Sequence, residues 1–176
     1  FSNQVNLSKA KVNSIIEDKQ GNIWLAMLQK GVFMQPNKSY DFSYMGYRLG
    51  KYNLIGDNCV TSVLKASNGK IWVGTDKDCL YNMSGDMHTN VSHFTNTPST
   101  ILSICEAKNG NIWIGSYRDG VGYVDTTGNY HNVDVKMGNN LSVFDIKCDP
   151  TGSLWLATMG NGLVCLRADG TVKQYR

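Results

Sequence analysis

Short apolar-rich runs, each broken by a cluster of Asn, Asp and Gly, return four times along the chain in the same order. Val12 to Met27 reads VNSIIEDKQGNIWLAM, Val60 to Thr75 reads VTSVLKASNGKIWVGT, Ile101 to Ser116 reads ILSICEAKNGNIWIGS and Val143 to Thr158 reads VFDIKCDPTGSLWLAT. All four Trp of the chain fall inside this sentence, spaced by 48, 41 and 42 residues, and internal repetition at such a period governs how the rest is read. Each copy has a β-branched residue twelve before its Trp and an Ile or Val nine before it, at Ile15, Val63, Ile104 and Ile146. Gly stands three before, at Gly21, Gly69, Gly110 and Gly152, and a small residue two after, at Ala26, Gly74, Gly115 and Ala157.

The first run of each copy predicts a strand of about six residues, and the Gly in the cluster that follows predicts a hairpin turn, since it takes a positive φ at no steric cost. A second short strand carries the Trp, as at Ile112 to Gly115. The indole points to one face of that strand and its Ile or Leu neighbours to the other, so both faces are apolar and both need cover. The small residue two past the Trp shares the indole's face, and the expectation is that it leaves room for a bulky ring from the next sheet.

A third strand follows a second turn, at Gly31, Gly120 and Gly162 in three copies, and is expected over Val32 to Gln35, Leu80 to Met83, Val121 to Val124 and Leu163 to Leu166. A fourth, more polar strand is expected at Asp41 to Tyr44, Val91 to Phe94, Asn132 to Val135 and Val172 to Tyr175. Four strands in a repeat of this length make a propeller blade. The chain is therefore read as all-β: a partial propeller of four four-stranded antiparallel blades, spanning about 12–44, 60–94, 101–135 and 143–176, with 1–11 leading in from a preceding blade. Helical repeats of this period need apolar residues at 3.6-residue spacing, which is absent, and a single sandwich has no use for one Trp sentence kept in register.

The sentence V-x-S-I-x-E-D-x-x-G-N-I-W-I-G-T, followed by G-L or G-V, resembles the two-component regulator propeller repeat of Bacteroides-type hybrid two-component systems. The resemblance covers nearly the whole chain. Cys79 replaces the Gly of the other copies in blade 2, blade 4 has Pro150 and lacks the acidic residue of the first strand, and blade 1 has Met27 in place of Thr or Ser. The resemblance implies a periplasmic sensor of two seven-bladed propellers and a smaller β-sandwich, followed by a membrane helix, a histidine kinase, a receiver and a DNA-binding domain, with the kinase chemistry outside this segment. Four blades are fewer than seven, so two apolar blade faces are expected to lie open. A buried Trp contributes roughly 4 to 6 kcal/mol by area as an upper bound, which leads to the expectation that two copies associate through these faces.

Composition agrees with an all-β reading. The 176 residues are 41% apolar and 18% charged, with 18 Gly for turns and three Pro. The net charge of +3 comes from scattered Lys and Arg, unlike the basic stripe that nucleic acid requires. No apolar run approaches the length of a membrane span, and the start at Phe1, Ser2 and Asn3 is neither an initiator Met nor a signal peptide, so the chain is expected to be an excised segment. Five Cys, at Cys59, Cys79, Cys105, Cys148 and Cys165, form an odd set without a CxxC pair. That argues against a zinc site and a complete disulfide framework, and free thiols are expected.

A residue present in every blade serves the blade, so Trp24, Trp72, Trp113 and Trp155 with Gly21, Gly69, Gly110 and Gly152 are read as structural. Function is expected where the copies differ. The loops between second and third strands share one face with the connections between blades, and they read Leu28, Gln29, Lys30; Asp76, Lys77, Asp78; Tyr117, Arg118, Asp119; and Met159, Gly160, Asn161. A ring to stack on beside planar donors and acceptors is the set a carbohydrate or other polar ligand uses. Tyr117, Arg118 and Asp119 lead the candidates, then Asp76, Lys77, Asp78, Gln29, Lys30 and Asn161. The long connection Met45 to Cys59 adds Tyr47 and Arg48.

No GxSxG, P-loop or HExxH spacing occurs, and His88, His93 and His131 fall in or near outer strands, so no catalytic residue, metal or cofactor is expected. No His is expected on the loop face. Three functions follow: a non-catalytic periplasmic segment of a hybrid two-component sensor responding to an oligosaccharide; a propeller enzyme similar to the streptogramin-inactivating lyases; and a scaffold binding other proteins, because fold alone does not fix function.

Overall fold

The computed structural model describes residues 11–37, 43–45, 55–56, 59–84 and 90–176. It contains four antiparallel sheets of four strands, each built from consecutive strands in the order of the chain. Blade 1 comprises β1 (Val12–Glu17), β2 (Ile23–Met27), β3 (Gly31–Gln35) and β4 (Ser43–Met45). Blade 2 comprises β5 (Val60–Lys65), β6 (Ile71–Thr75), β7 (Leu80–Met83) and β8 (Val91–Phe94). Blade 3 comprises β9 (Ile101–Glu106), β10 (Ile112–Ser116), β11 (Val121–Val124) and β12 (Tyr130–Val133), and blade 4 comprises β13 (Val143–Cys148), β14 (Leu154–Thr158), β15 (Gly162–Leu166) and β16 (Val172–Tyr175).

The first strands β1, β5, β9 and β13 lie side by side in succession, which makes them the inner strands and sends the chain outward within every blade. The turn Gly of each first hairpin has a positive φ, from 78° at Gly21 to 85° at Gly152. In all four blades the first strand slips by one residue near its start, at Val12/Ser14, Val60/Ser62 and Val143/Asp145 and opposite Gly115/Ser116. Such a bulge twists the inner strand where the chain enters the blade.

Blades stack by one rule. The Trp face of each sheet packs on the Ile and Leu face of the next: Trp24, Ala26 and Met34 meet Val60, Val73 and Tyr81; Trp72 and Leu80 meet Ile101 and Ile114; Cys105 and Val121 meet Val143, Ile146 and Leu156. The small residue two past the Trp does not receive a ring. A Cβ on Gly74 would stand 2.7 Å from Ile101 Cγ2, and one on Gly115 would stand 2.9 Å from Val143 Cγ1. The space belongs to the aliphatic head of the next inner strand, because the β-branched residue twelve before each Trp opens that strand at this height.

The fourth strand of blade 3 starts earlier than the sequence reading placed it, and that of blade 1 runs one residue further. In blade 3 the strand is Tyr130–Val133 rather than Asn132 to Val135. The Asp125 carboxylate accepts from the backbone N–H of Thr127 and Asn129, and Gly128 has φ 94°, so the turn closes tightly and Tyr130 already pairs with Val124. In blade 1 the strand is described over Ser43–Met45, with Met45 paired to Val32, while Asp41 and Phe42 of the expected Asp41 to Tyr44 lie outside the described residues.

The expectation of free thiols is overturned at one pair. Cys105 and Cys148 form a disulfide between the inner strands of blades 3 and 4, their Cα atoms 6.3 Å apart, while Cys79 and Cys165 stand outside any disulfide. The two open ends are also unequal. On blade 4 the Trp face leaves Ala157, Leu163 and Tyr175 exposed. On blade 1 Val12 and Ile15 are exposed, but Leu25, Met27 and Phe33 are buried together, so that face is not the bare surface expected.

Candidate functional site

Hydrogen bonds assemble the loops between second and third strands on one face. The first residue of each donates to the residue just before its own inner strand: Leu28 N–H to Lys11 O (2.9 Å), Asp76 to Cys59 (2.9 Å), Tyr117 to Thr100 (3.0 Å) and Met159 to Ser142 (2.9 Å). A second set crosses to the following blade. Cys79 N–H donates to Ser99 O at 3.1 Å and Gly120 N–H to Leu141 O at 2.9 Å, Arg118 N–H to Ser142 Oγ at 3.1 Å, and the Thr100 hydroxyl to Asp76 O. The loops of blades 2 and 3 are thereby fixed both to their own blade and to the chain leading into the next.

Within this frame the candidate residues fall into three settings. Arg118 lies with its guanidinium 5.1 Å from the Tyr117 ring centroid, a cation–π contact that presents both side chains together; Tyr117 is 41% exposed. Arg118 and Asp119 line a cleft of about 260 Å³ with Asn132, Asp134, Asn139 and Asn140. These four polar residues were not singled out from the sequence. The run Lys136 to Asn140, rich in Asn and Gly, carries the signal, with Asn140 at φ 63°.

Asp78 is engaged inward. Its carboxylate accepts the Tyr81 hydroxyl and lies 3.5 Å from His93 Nε2, and its carbonyl meets the same ring nitrogen at 2.9 Å. The His93 and Tyr81 rings stack at 4.1 Å. Burial, then the Asp78 hydrogen bond, push the Tyr81 hydroxyl well above the ordinary phenol range. A histidine thus does reach the loop face, contrary to expectation, because His93 pairs with Tyr81 near the loop end of β7.

The remaining candidates stand apart. Gln29 is exposed at φ 57°, Lys30 and Lys77 are exposed, and the Asn161 carbonyl accepts from Gln174 Nε2 at 2.8 Å. Tyr47, Arg48 and His88 lie outside the described residues. Among the described residues no three of His, Cys, Asp or Glu converge as a metal site.

The opposite face carries the first-hairpin turns, and two of them hold a carboxylate against an indole. Asp18 Oδ2 accepts from Trp24 Nε1 at 3.1 Å, and Asp149 Oδ2 from Trp155 Nε1 at 3.0 Å. Asp149 also accepts from Thr151 and Ser153. The Thr151 and Trp155 side chains, more than the backbone donors, hold its carboxyl at about 2. At Asp18 burial raises the pKa, but donors from Asn22, Trp24 and Gln20 outweigh it and the net shift is downward.

Four small sheets stacked about their first strands make this chain an open, partial β-propeller, with loops that differ between blades on one face and recurring Gly turns on the other. Residues 6–29, 54–77 and 96–118, one stretch in each of the first three blades, match the two component regulator propeller family. No curated protein matches the sequence. Among solved structures, the extracellular domain of a hybrid two component system from B. thetaiotaomicron is similar with TM-score 0.75 at 23% identity, covering 94% of this chain and 22% of that one. Virginiamycin B lyase from Staphylococcus aureus, crystallised with quinupristin, is similar with TM-score 0.78 at 14% identity, covering 100% and 59%. PorZ of the type-IX secretion system of Porphyromonas gingivalis is similar with TM-score 0.69 at 21% identity, covering 98% and 28%. At these identities the likeness is one of fold, and this chain spans less than two thirds of each.

Proposed function

We propose that this chain is a non-catalytic, ligand-sensing segment of the extracytoplasmic region of a hybrid two-component sensor, and that its ligand is an oligosaccharide. The observation that carries the reading is the family match on three blades. It is supported by the solved extracellular domain with the same fold, and by a loop face where Tyr117 and Arg118 stand together beside a cleft lined by amides and carboxylates. A flat ring and planar hydrogen-bonding groups suit a sugar's apolar face and its hydroxyls. Among the described residues no helix is long and apolar enough to cross a membrane, so in this reading the anchor and the kinase belong to other parts of the protein.

The test is a thermal-shift and calorimetric screen of the chain against a library of neutral and acidic oligosaccharides. A binder is expected, with affinity falling about tenfold in Tyr117→Ala and in Arg118→Ala, the loss of one good contact. A complete library without a binder, or a binder indifferent to both substitutions, removes the assignment to this face.

A lyase reading draws on the virginiamycin B lyase likeness and on His93 at the loop face. His93 is held by Asp78 and Tyr81, which favours a structural role. Turnover of quinupristin by the chain with added divalent metal, abolished in His93→Ala, would establish the lyase instead.

A further inference from the structure

Two of the four blades satisfy their indole N–H from within, and two do not. The residue six before the Trp is Asp18 in blade 1 and Asp149 in blade 4, but Ala66 in blade 2 and Ala107 in blade 3. At Asp18 and Asp149 a carboxylate oxygen sits 3.1 and 3.0 Å from the indole nitrogen; the Ala107 methyl offers Trp113 no acceptor.

Beside Trp113, between blades 3 and 4, lies a cleft of about 460 Å³, a size that suits a small organic ligand. Its floor is Trp113, Val133, Leu154 and Leu166, and the charged side chains lining it are Lys108 and Arg167, both cationic. Lys108 gives one donor to Pro150 O, which leaves two of its three N–H groups. Asp149 and Asp169 stand in the adjoining turns, and each is engaged by its own turn: Asp149 by Thr151, Ser153 and Trp155, Asp169 by the N–H and hydroxyl of Thr171. The corresponding cleft between blades 2 and 3, about 560 Å³ beside Trp72, is lined by Glu106 and Asp125 against the single cation Lys70, a balance that favours an anion less than the two cations beside Trp113.

We infer that the cleft between blades 3 and 4 binds a small organic monocarboxylate. The carboxylate accepts from the Trp113 indole N–H, as Asp18 and Asp149 do in their blades, and lies near Lys108 and Arg167. The aliphatic or aromatic body of the ligand rests on Val133, Leu154 and Leu166. The site is on the face opposite the variable loops, so it stands or falls independently of the oligosaccharide reading.

The experiment follows the indole N–H resonances of the four Trp by ¹H–¹⁵N NMR, with Trp113 assigned through Trp113→Phe, during titration with phenylacetate and, separately, with phenylacetamide. The Trp113 resonance is expected to shift saturably with phenylacetate and far less with the uncharged amide. Trp24 and Trp155, already bonded to carboxylates, should hold still. Ala107→Asp places an internal carboxylate on the indole and is expected to abolish the response. Lys108→Ala and Arg167→Ala should each weaken binding about twofold to fivefold, and their combination carries the test if Ala107→Asp does not fold. The inference is overturned by a Trp113 signal that does not saturate, by an equal response to the amide, or by binding that the cation substitutions leave unchanged.

Discussion

At the scale of single residues, the departure from the repeat that bears most on the backbone is Cys79. It holds φ 62° at the position where Gly31, Gly120 and Gly162 hold 81°, 73° and 69°. A side chain in the left-handed region costs about 1–2 kcal/mol, part of which glycine returns as entropy lost on folding. Cys79→Gly is therefore expected to raise stability by about 0.5–1 kcal/mol in urea denaturation, although the weak contact from Cys79 Sγ to Thr95 O at 3.8 Å is lost. Gly115 shows the opposite constraint: its φ is ordinary, and a methyl there would meet Val143 Cγ1 at 2.9 Å and its carbonyl oxygen at 3.0 Å. The sequence placed the first position in a turn and read the second as room for the next sheet, but it expected a ring there where the structure puts the aliphatic Ile101 and Val143.

At the scale of the hairpin, the turn carboxylates tie the turn to the indole. Asp149 is held at about 2 by donors from Thr151 and Trp155, below the ordinary value of about 3.9. A lowered folded-state pKa means the contribution is complete above about pH 4 and disappears as the pH falls through 2. Urea denaturation of Asp149→Ala should show lower stability than the parent at pH 6 and a smaller difference at pH 2, where about half of the parent's carboxyl is protonated. The Gly of this turn was legible in the sequence because it recurs in all four copies, whereas the aspartate occurs in only two and was passed over. The shift of β12 to Tyr130–Val133 has a similar origin, since Asp125 and Gly128 set the turn length through local hydrogen bonds that the apolar pattern does not encode.

At the scale of the whole molecule, the Cys105–Cys148 bridge joins blades 3 and 4 across 43 residues of chain. Closing a loop of that length is worth about 2–4 kcal/mol. Reduction with dithiothreitol, or Cys105→Ser with Cys148→Ser, should lower stability by that amount, read by denaturation with tryptophan fluorescence. The Trp face of blade 4, with Leu163 40% and Tyr175 38% exposed, resembles the faces that bury their neighbours elsewhere in the arc. Sedimentation velocity of this chain is expected to show concentration-dependent association that Leu163→Glu with Tyr175→Lys suppresses; a monomer at every concentration would count against it.

What the sequence determined by itself is the repeating unit: which residues form strands, where the Gly turns fall, and that each sheet is apolar on both sides. Those properties are local, set by strand and turn chemistry within some forty residues. Only the stacking decided the rest. Cys105 pairs across its hairpin with Trp113 and so lies on the Trp face of its blade, while Cys148 pairs with Leu154 and lies on the Leu face of the next. Neither spacing nor count could reveal that these two faces meet. The same holds for Arg118 beside the connector of blade 4 and for the cleft at Trp113, because contacts between blades join residues whose separation in the chain carries no pattern.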